Sequence, residues 1–330
     1  MKRRNKQLWI FASAACLLAM ILSLCMGQIC FSPVRLVKMI FGGSKEAYYG
    51  IFRYARLPRT LACMLSGAAL SVSGAVLQQV LANKLASPSI IGVNAGAGLG
   101  VALCCAMGVV SGWMISLSAF CGSLLAMGLI WFLCRGTGAS KVSVILSGVA
   151  LNSILTALTE TVSVLDSDAA LLHMDFRVGG FSAVSYLRLT PAGILIVLSL
   201  AILLTLCSEL DVLSMGDETA QGLGLPVGRY RMIFLVFASV LAGAAVSFSG
   251  LLGFVGLIVP HGVRKLSSSQ SSVLLPVSAM MGAALVTICD LGARTLFLPY
   301  ELPVGLLMAL VGGPVFVLLL VRRSGGHRHD

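Results

Sequence analysis

The chain carries little with which to do covalent chemistry. Its 330 residues hold 12 carboxylates and 4 histidines against 23 lysines and arginines, and the acids are clustered. Glu209, Asp211, Asp217 and Glu218 fall in one short segment, followed by Ala220, Gly222-Leu223-Gly224 and Arg229. Acids early and a Gly-Leu-Gly turn late suit short helices at a membrane surface, with negative charge near helix N-termini. The cations have a cluster of their own: Arg35, Lys38, Lys45, Arg53, Arg56 and Arg59 lie between Phe31 and Arg59. Arg294 follows Asp290 by one helical turn, the spacing of an intrahelical ion pair. Glu160 is a carboxylate near one end of an apolar run, and intramembrane acids are functional candidates by default. It either faces the translocation route or reaches the outer interface, and its nearness to Asp166 and Asp168 favours the latter.

Other chemistries lack their residues. Hydrolysis of a nucleoside triphosphate needs a glycine-rich loop with the spacing Gly-x-x-x-x-Gly-Lys-Ser/Thr, and Gly42-Gly43-Ser44-Lys45 does not have it. The ten cysteines form no Cys-x-x-Cys pair, and most lie inside apolar runs where cysteine packs as a small hydrophobe. His261, beside Pro260, reads as a cap or packing element, and His173 stands alone. No catalytic residue, metal site or directly bound cofactor is expected, and no nucleic-acid partner.

The elements that position these groups must be lipid-embedded helices. AVILMFWYC residues make up 58% of the chain and charged residues 11%, with a mean hydropathy of +0.99. A helical span takes about 20 apolar residues, and continuous apolar runs exclude the alternating pattern of a barrel. Ten spans are expected near 8–29, 61–82, 90–109, 114–134, 142–164, 190–207, 231–250, 254–266, 273–290 and 303–321. The first resembles a signal peptide but is longer than a secretory apolar core, so it reads as an uncleaved transmembrane helix. With the N-terminus inside, cations are more numerous on the inner side, and both termini are expected in the cytoplasm. The basic segment before Arg59 then breaks that tendency locally, which fits either something outside that draws positive charge or an interfacial loop whose arginines touch lipid phosphates.

Leu65 to Gly74 (LSGAALSVSG) recurs as Leu241 to Gly250 (LAGAAVSFSG), seven of ten positions identical at an offset of 176. Five spans separate the copies, so they should cross the membrane in opposite directions. The fold class expected is an all-α polytopic membrane protein of about ten helices with an inverted internal repeat, an architecture recurrent in transporters. It forms one domain, 1–330, with repeat halves near 61–165 and 231–321 and a loop near 208–229 between them.

Several motifs share a common source. Arg56-Leu57-Pro58-Arg59, Gly67-Ala68-Ala69-Leu70, Gly74, Leu77-Gln78-Gln79 and Asn83-Lys84-Leu85-Ala86-Ser87-Pro88 resemble the FecCD permease family. So do Gly253-Phe254-Val255-Gly256-Leu257-Ile258-Val259-Pro260-His261 with Arg264, Asp290-Leu291-Gly292-Ala293-Arg294, Glu301-Leu302-Pro303-Val304-Gly305, and Gly312-Gly313-Pro314-Val315-Phe316. The chain departs from the pattern at Lys84, where proline is usual, at Ser87, where aspartate is usual, and at Phe176 to Phe181, which lacks a Trp-x-x-Gly-Ser signature.

The resemblance implies a permease subunit of a bacterial ABC importer in the cytoplasmic membrane. It would carry iron–siderophore, haem or cobalamin, with ferric siderophore the commonest cargo. It implies a second permease subunit, identical or paralogous, separate ATPase subunits that use the ATP, and an extracytoplasmic substrate-binding protein. By resemblance Arg56, Arg59 and Arg294 receive acidic knobs of the binding protein. Asp217, Glu218, Ala220, Gly222, Leu223 and Gly224 belong to the loop that docks on the ATPase. Gly138, Ser140, Ser143 and Glu160 belong to the pathway wall and gate. An ion-coupled secondary transporter would share inverted repeats but should carry charges at midspan. A membrane enzyme should show a clustered nucleophile, base or metal set.

Overall fold

The computed structural model describes residues 2–27, 29–42, 48–109, 111–134, 140–266 and 270–324. Among them there is no strand. The helices are α1 (Lys2–Cys25), α2 (Pro33–Gly42), α3 (Tyr49–Val80), α4 (Val93–Ala106), α5 (Gly112–Cys134), α6 (Lys141–Leu165) and α7 (Ser167–Val178). They continue as α8 (Tyr186–Thr205), α9 (Cys207–Ser214), α10 (Asp217–Gly222), α11 (Val227–Ser249), α12 (Val255–Leu266), α13 (Ser271–Thr295) and α14 (Val304–Ser324).

Each of the ten expected spans falls on a helix, and among the described residues seven helices are long and apolar enough to cross a bilayer alone: α1, α3, α5, α6, α8, α11 and α13. Helix α4 has 14 residues and α12 has 12. At 1.5 Å per residue these reach about 20 Å, short of a hydrocarbon core of about 30 Å. Irregular chain, residues 81–92 before α4 and 250–254 before α12, makes up the difference. Non-helical backbone survives at membrane depth only when protein surrounds it, and Ala86, Ser87, Ile91 and Leu252 are buried. The two breaks meet at a cavity of about 30 Å³ touched by Ser87, Pro88 and Asn94 on one side and Leu252 and Phe254 on the other.

Small residues decide how the long helices pack. Helix α3 runs antiparallel to α13, its most extensive neighbour, and Gly67 faces Gly282. A Cβ on Gly67 would sit 2.2 Å from the Gly282 carbonyl oxygen, and one on Gly282 2.3 Å from that of Gly67. Backbones in that contact tolerate no side chain. Four residues on, the Ser71 hydroxyl donates to the Ser278 carbonyl at 2.7 Å. The second copy of the repeated segment does the same on α11, where a Cβ on Gly243 would lie 2.1 Å from Ser123 Oγ of α5. Thus α3 packs on α13 and α11 on α5, each copy against a helix of the other half. Helix α3 begins beside Asp290 and ends beside Ser271, whereas α11 begins beside Asp217. The copies therefore run in opposite senses, and the bundle has an Arg59 end and an Asp217 end.

Helix α3 starts a dozen residues before its expected boundary. Pro58 has no N–H to give the preceding turn, and a π-helical stretch, Phe52–Arg56, widens the backbone there and lets the helix run on.

Candidate coupling and docking sites at the two ends of the bundle

At the Asp217 end, two short helices lie between α8 and α11. Gly216, at φ 111°, turns the chain between α9 and α10, and Gly224, at φ 81°, ends α10. The Leu225 N–H closes that turn on the Ala220 carbonyl at 3.0 Å. The acids of this segment have divided their work. Asp211 Oδ1 accepts from the Ser271 N–H at 2.8 Å and the Ser271 hydroxyl at 2.6 Å, capping α13 from another element. Asp217 accepts from Arg231 Nη2 at 2.7 Å and pairs with Lys141 Nζ at 2.9 Å. Burial works to raise the Asp217 carboxyl, but hydrogen bonds from Lys141 and Arg231 outweigh it and hold the group below the usual carboxylate range.

This triad fastens α10 to α11 and to the first turn of α6. Ser140 is the N-cap of α6, accepting from the Ser143 N–H at 3.2 Å, with the two hydroxyls 2.8 Å apart. Lys141 then stands at the positive end of that helix, and Asp217 offsets the unfavourable charge. Gly138 lies outside the described residues. Ala220 is fully buried on the inner face of α10, whereas Glu218, Gly222 and Leu223 face outward, Leu223 with 65% of its surface exposed. Of the residues expected to meet a partner, Ala220 is therefore a support and Leu223 the protruding apolar group.

At the Arg59 end, the structure corrects the expectation of three exposed arginines. Arg56 and Arg294 are 6% and 4% exposed. Arg56 donates to the Leu24 carbonyl at 2.8 Å and to that of Ile29, and its guanidinium lies 4.2 Å over the Phe31 ring. Arg294 donates to the Ser23 carbonyl and hydroxyl, each at 2.7 Å. Both arginines thereby satisfy carbonyls at the C-terminus of α1, which have no partner within the helix and sit at its negative pole. Arg59 alone reaches the mouth. It forks onto Asp290 at 2.9 and 3.1 Å and meets Glu301 at 2.8 Å. Glu160 pairs with Arg177 of α7 at 3.2 Å, both half-exposed.

Arg59 and Glu301 open on a cleft of about 550 Å³, also lined by Asp175, Arg188, Ser247 and Ser249. Its floor is backbone. The Gly180 N–H donates to the Ser249 carbonyl at 2.8 Å, Leu251 to Phe176 at 3.0 Å and Gly305 to Gly179 at 3.2 Å. A Cβ on Gly179, Gly250 or Gly305 would lie within 2.5 Å of a neighbouring carbonyl oxygen. This collar joins α7, α11 and α14, and Gly179 and Gly250 need their positive φ values as well, 72° and 66°.

Two differently built ends joined by a broken-helix core are a transporter's layout, and comparison with known proteins supplies the family. The FecCD transport family matches residues 15–322. The chain belongs to the FecCD transport family. The Fe(3+)-citrate import system permease protein YfmD of Bacillus subtilis is 34% identical over 325 residues, covering 96% of each chain. The vitamin B12 import system permease protein BtuC of Salmonella typhi is 34% identical over 331 residues, 98% of this chain and 97% of its own. Among solved structures, an inward-facing conformation of a metal-chelate type ABC transporter superposes with a TM-score of 0.85 at 27% identity, covering 96% of this chain and 99% of the other. PsaBC from Streptococcus pneumoniae shares the fold at a TM-score of 0.56 and 17% identity. This FecCD chain is a multi-pass membrane protein and a permease subunit of an ABC importer. Membership implies ATPase and binding-protein partners and a dimeric arrangement.

Sequence reasoning missed the Lys141–Asp217–Arg231 triad and the Asp211 cap. The only signal was the density of acids in a cation-rich chain, and their partners are remote in sequence.

Proposed function

We propose that the chain forms half of the pore of an importer that brings a metal chelate into the cytoplasm, with ferric siderophore as the cargo. The observation that carries the reading is the short helix α10, which with the residue after it offers Glu218 and Leu223 outward while Asp217 ties its base to α6 and α11. An ATPase that closes on α10 would pull on both helices. The Asp217 end then faces the cytoplasm, with both termini. The opposite end receives the binding protein over the cleft, where Arg59 and Glu301 stand at the rim. Ion pairs there would set register and on-rate more than affinity. The named cargoes of two full-length relatives, Fe(3+)-citrate and vitamin B12, support a metal complex as the class.

The test is uptake of labelled ferric siderophore, ferric citrate, haem and vitamin B12 by cells lacking the native system and supplied with this chain, its ATPase and its binding protein. Ferric siderophore accumulation that needs the ATPase supports the reading. Uptake of haem or vitamin B12 alone would replace the cargo, and accumulation without the ATPase would overturn the mechanism. Charge reversal at Arg59 should weaken binding-protein docking, most at low salt.

A further inference from the structure

Helices α5 and α11 touch at Ser123 and Gly243 and part towards the Asp217 end. Between them lies a groove of about 760 Å³, lined by Met127, Gly128, Trp131, Met232, Val236 and Phe237, with Arg229 at its lower rim. From Ser123 to Cys134 the groove runs 11 residues of helix, about 16 Å at 1.5 Å per residue. That is half of a hydrocarbon core of about 30 Å, so the groove spans one leaflet and ends at its headgroups.

Its chemistry is divided along the same axis. The walls are almost wholly apolar, and among the described lining residues one cation, Arg229, stands where a headgroup would lie. Arg229 is exposed and makes no side-chain hydrogen bond or ion pair with another described residue. Two glycines keep the space open without a packing reason. A Cβ on Gly128 or on Gly228 would meet nothing within 4 Å, unlike the tight Gly67 and Gly243 contacts. Glycine inside a helix costs roughly 0.5–1 kcal/mol relative to alanine, so these positions favour an unfilled wall over local stability.

We propose that this groove is a binding site for one anionic phospholipid of the leaflet at the Asp217 end, an acyl chain lying against Gly128 and the phosphate on Arg229. Basic residues between membrane helices at a headgroup level bind anionic lipids in this manner. The site lies at the foot of α11, two residues from Arg231 of the triad. A bound lipid would hold the α5–α11 splay that positions Arg231.

The experiment uses the assembled importer in nanodiscs of phosphatidylcholine with or without phosphatidylglycerol, reading retained lipid by native mass spectrometry and thermal stability in parallel. The wild type should retain phosphatidylglycerol at least fivefold over phosphatidylcholine and gain stability from it. Arg229→Gln should abolish that selectivity, and Gly128→Leu should lower retention of both lipids while the complex stays assembled. Equal retention of the two lipids by the wild type would overturn the proposal. So would unchanged retention in both variants, or protection of a Gly128→Cys label by a cross-linked second copy of the chain. Loss of ATPase from the complex would instead count against the coupling reading and leave lipid selectivity readable.

Discussion

Replacing Asp217 by asparagine separates two contacts that differ in worth. The wild-type carboxylate receives Arg231 Nη2 at 2.7 Å and Lys141 Nζ at 2.9 Å. The Arg231 side chain is 2% exposed and cannot regain water, while that of Lys141 is 24% exposed. Breaking a fully buried pair costs about 3–5 kcal/mol. The Asp217 carboxylate is 39% exposed, which brings the loss to about 1.5–3 kcal/mol, the range for hydrogen bonds to charged groups. Losing Lys141 alone removes a surface-type pair worth up to about 1 kcal/mol. Asp217→Asn should therefore lower the thermal midpoint of the purified importer distinctly more than Lys141→Gln. The double variant should be little worse than Asp217→Asn, because the contacts share one carboxylate. ATP hydrolysis in Asp217→Asn should continue with weakened response to the binding protein. Equal losses for the two single variants, or a neutral Asp217→Asn, would refute the reasoning. The pH dependence has a fixed sign. A carboxyl held low in the folded state stabilises fully above its unfolded value near 3.9 and loses that contribution as pH falls through the folded value. The triad should thus contribute equally at pH 8 and pH 6.

Three further outcomes are expected. Gly67→Leu should prevent α3 and α13 from closing, since even a Cβ meets the Gly282 carbonyl oxygen at 2.2 Å. Overpacking of this kind costs about 1–3 kcal/mol or more, read as loss of monodisperse protein in detergent, whereas Gly313→Ala, with open space around it, should behave as wild type. Asp290→Asn removes the carboxylate that Arg59 and the buried Arg294 share at 2.9 and 3.5 Å and leaves Arg59 with Glu301, at a cost of about 3–5 kcal/mol, and adding Arg59→Gln should recover part of the lost thermal stability by relieving the repulsion on Arg294. Leu223→Arg should release the ATPase from the complex while the permease keeps its melting point; retained co-purification would remove Leu223 from the docking surface.

Much of the fold was legible because lipid imposes a simple rule. Every crossing helix must satisfy its own backbone, so apolar runs of the right length betray it. Helix α12 was placed within a residue of its short extent, 254–266 against Val255–Leu266, whereas α4 was expected over 90–109 and is shorter, Val93–Ala106, because the flanking apolar residues continue where the helix does not. Arg56 and Arg294 were read as outward-facing charges because the family resemblance assigns arginines at these motif positions to the binding protein. Their capping of α1 leaves no local trace, as the carbonyls they satisfy belong to a distant helix. Ser140 and Ser143 were singled out as gate residues by resemblance, and what the structure gives them is the geometry of a helix cap. The acids at 209–218 drew attention as a group, but only tertiary structure could separate Asp211 and Asp217, which work inward, from Glu218, which faces out.

The glycine collar beneath the Arg59 cleft limits how the mouth can open. Its segments meet backbone to backbone, with no side chain between them to rotate or compress, and packed interfaces of that kind switch between discrete arrangements instead of stretching. The ends of α7, α11 and α14 must then swing as one rigid plate, and the compliance for each stroke of transport has to reside deeper, where the two interrupted helices abut.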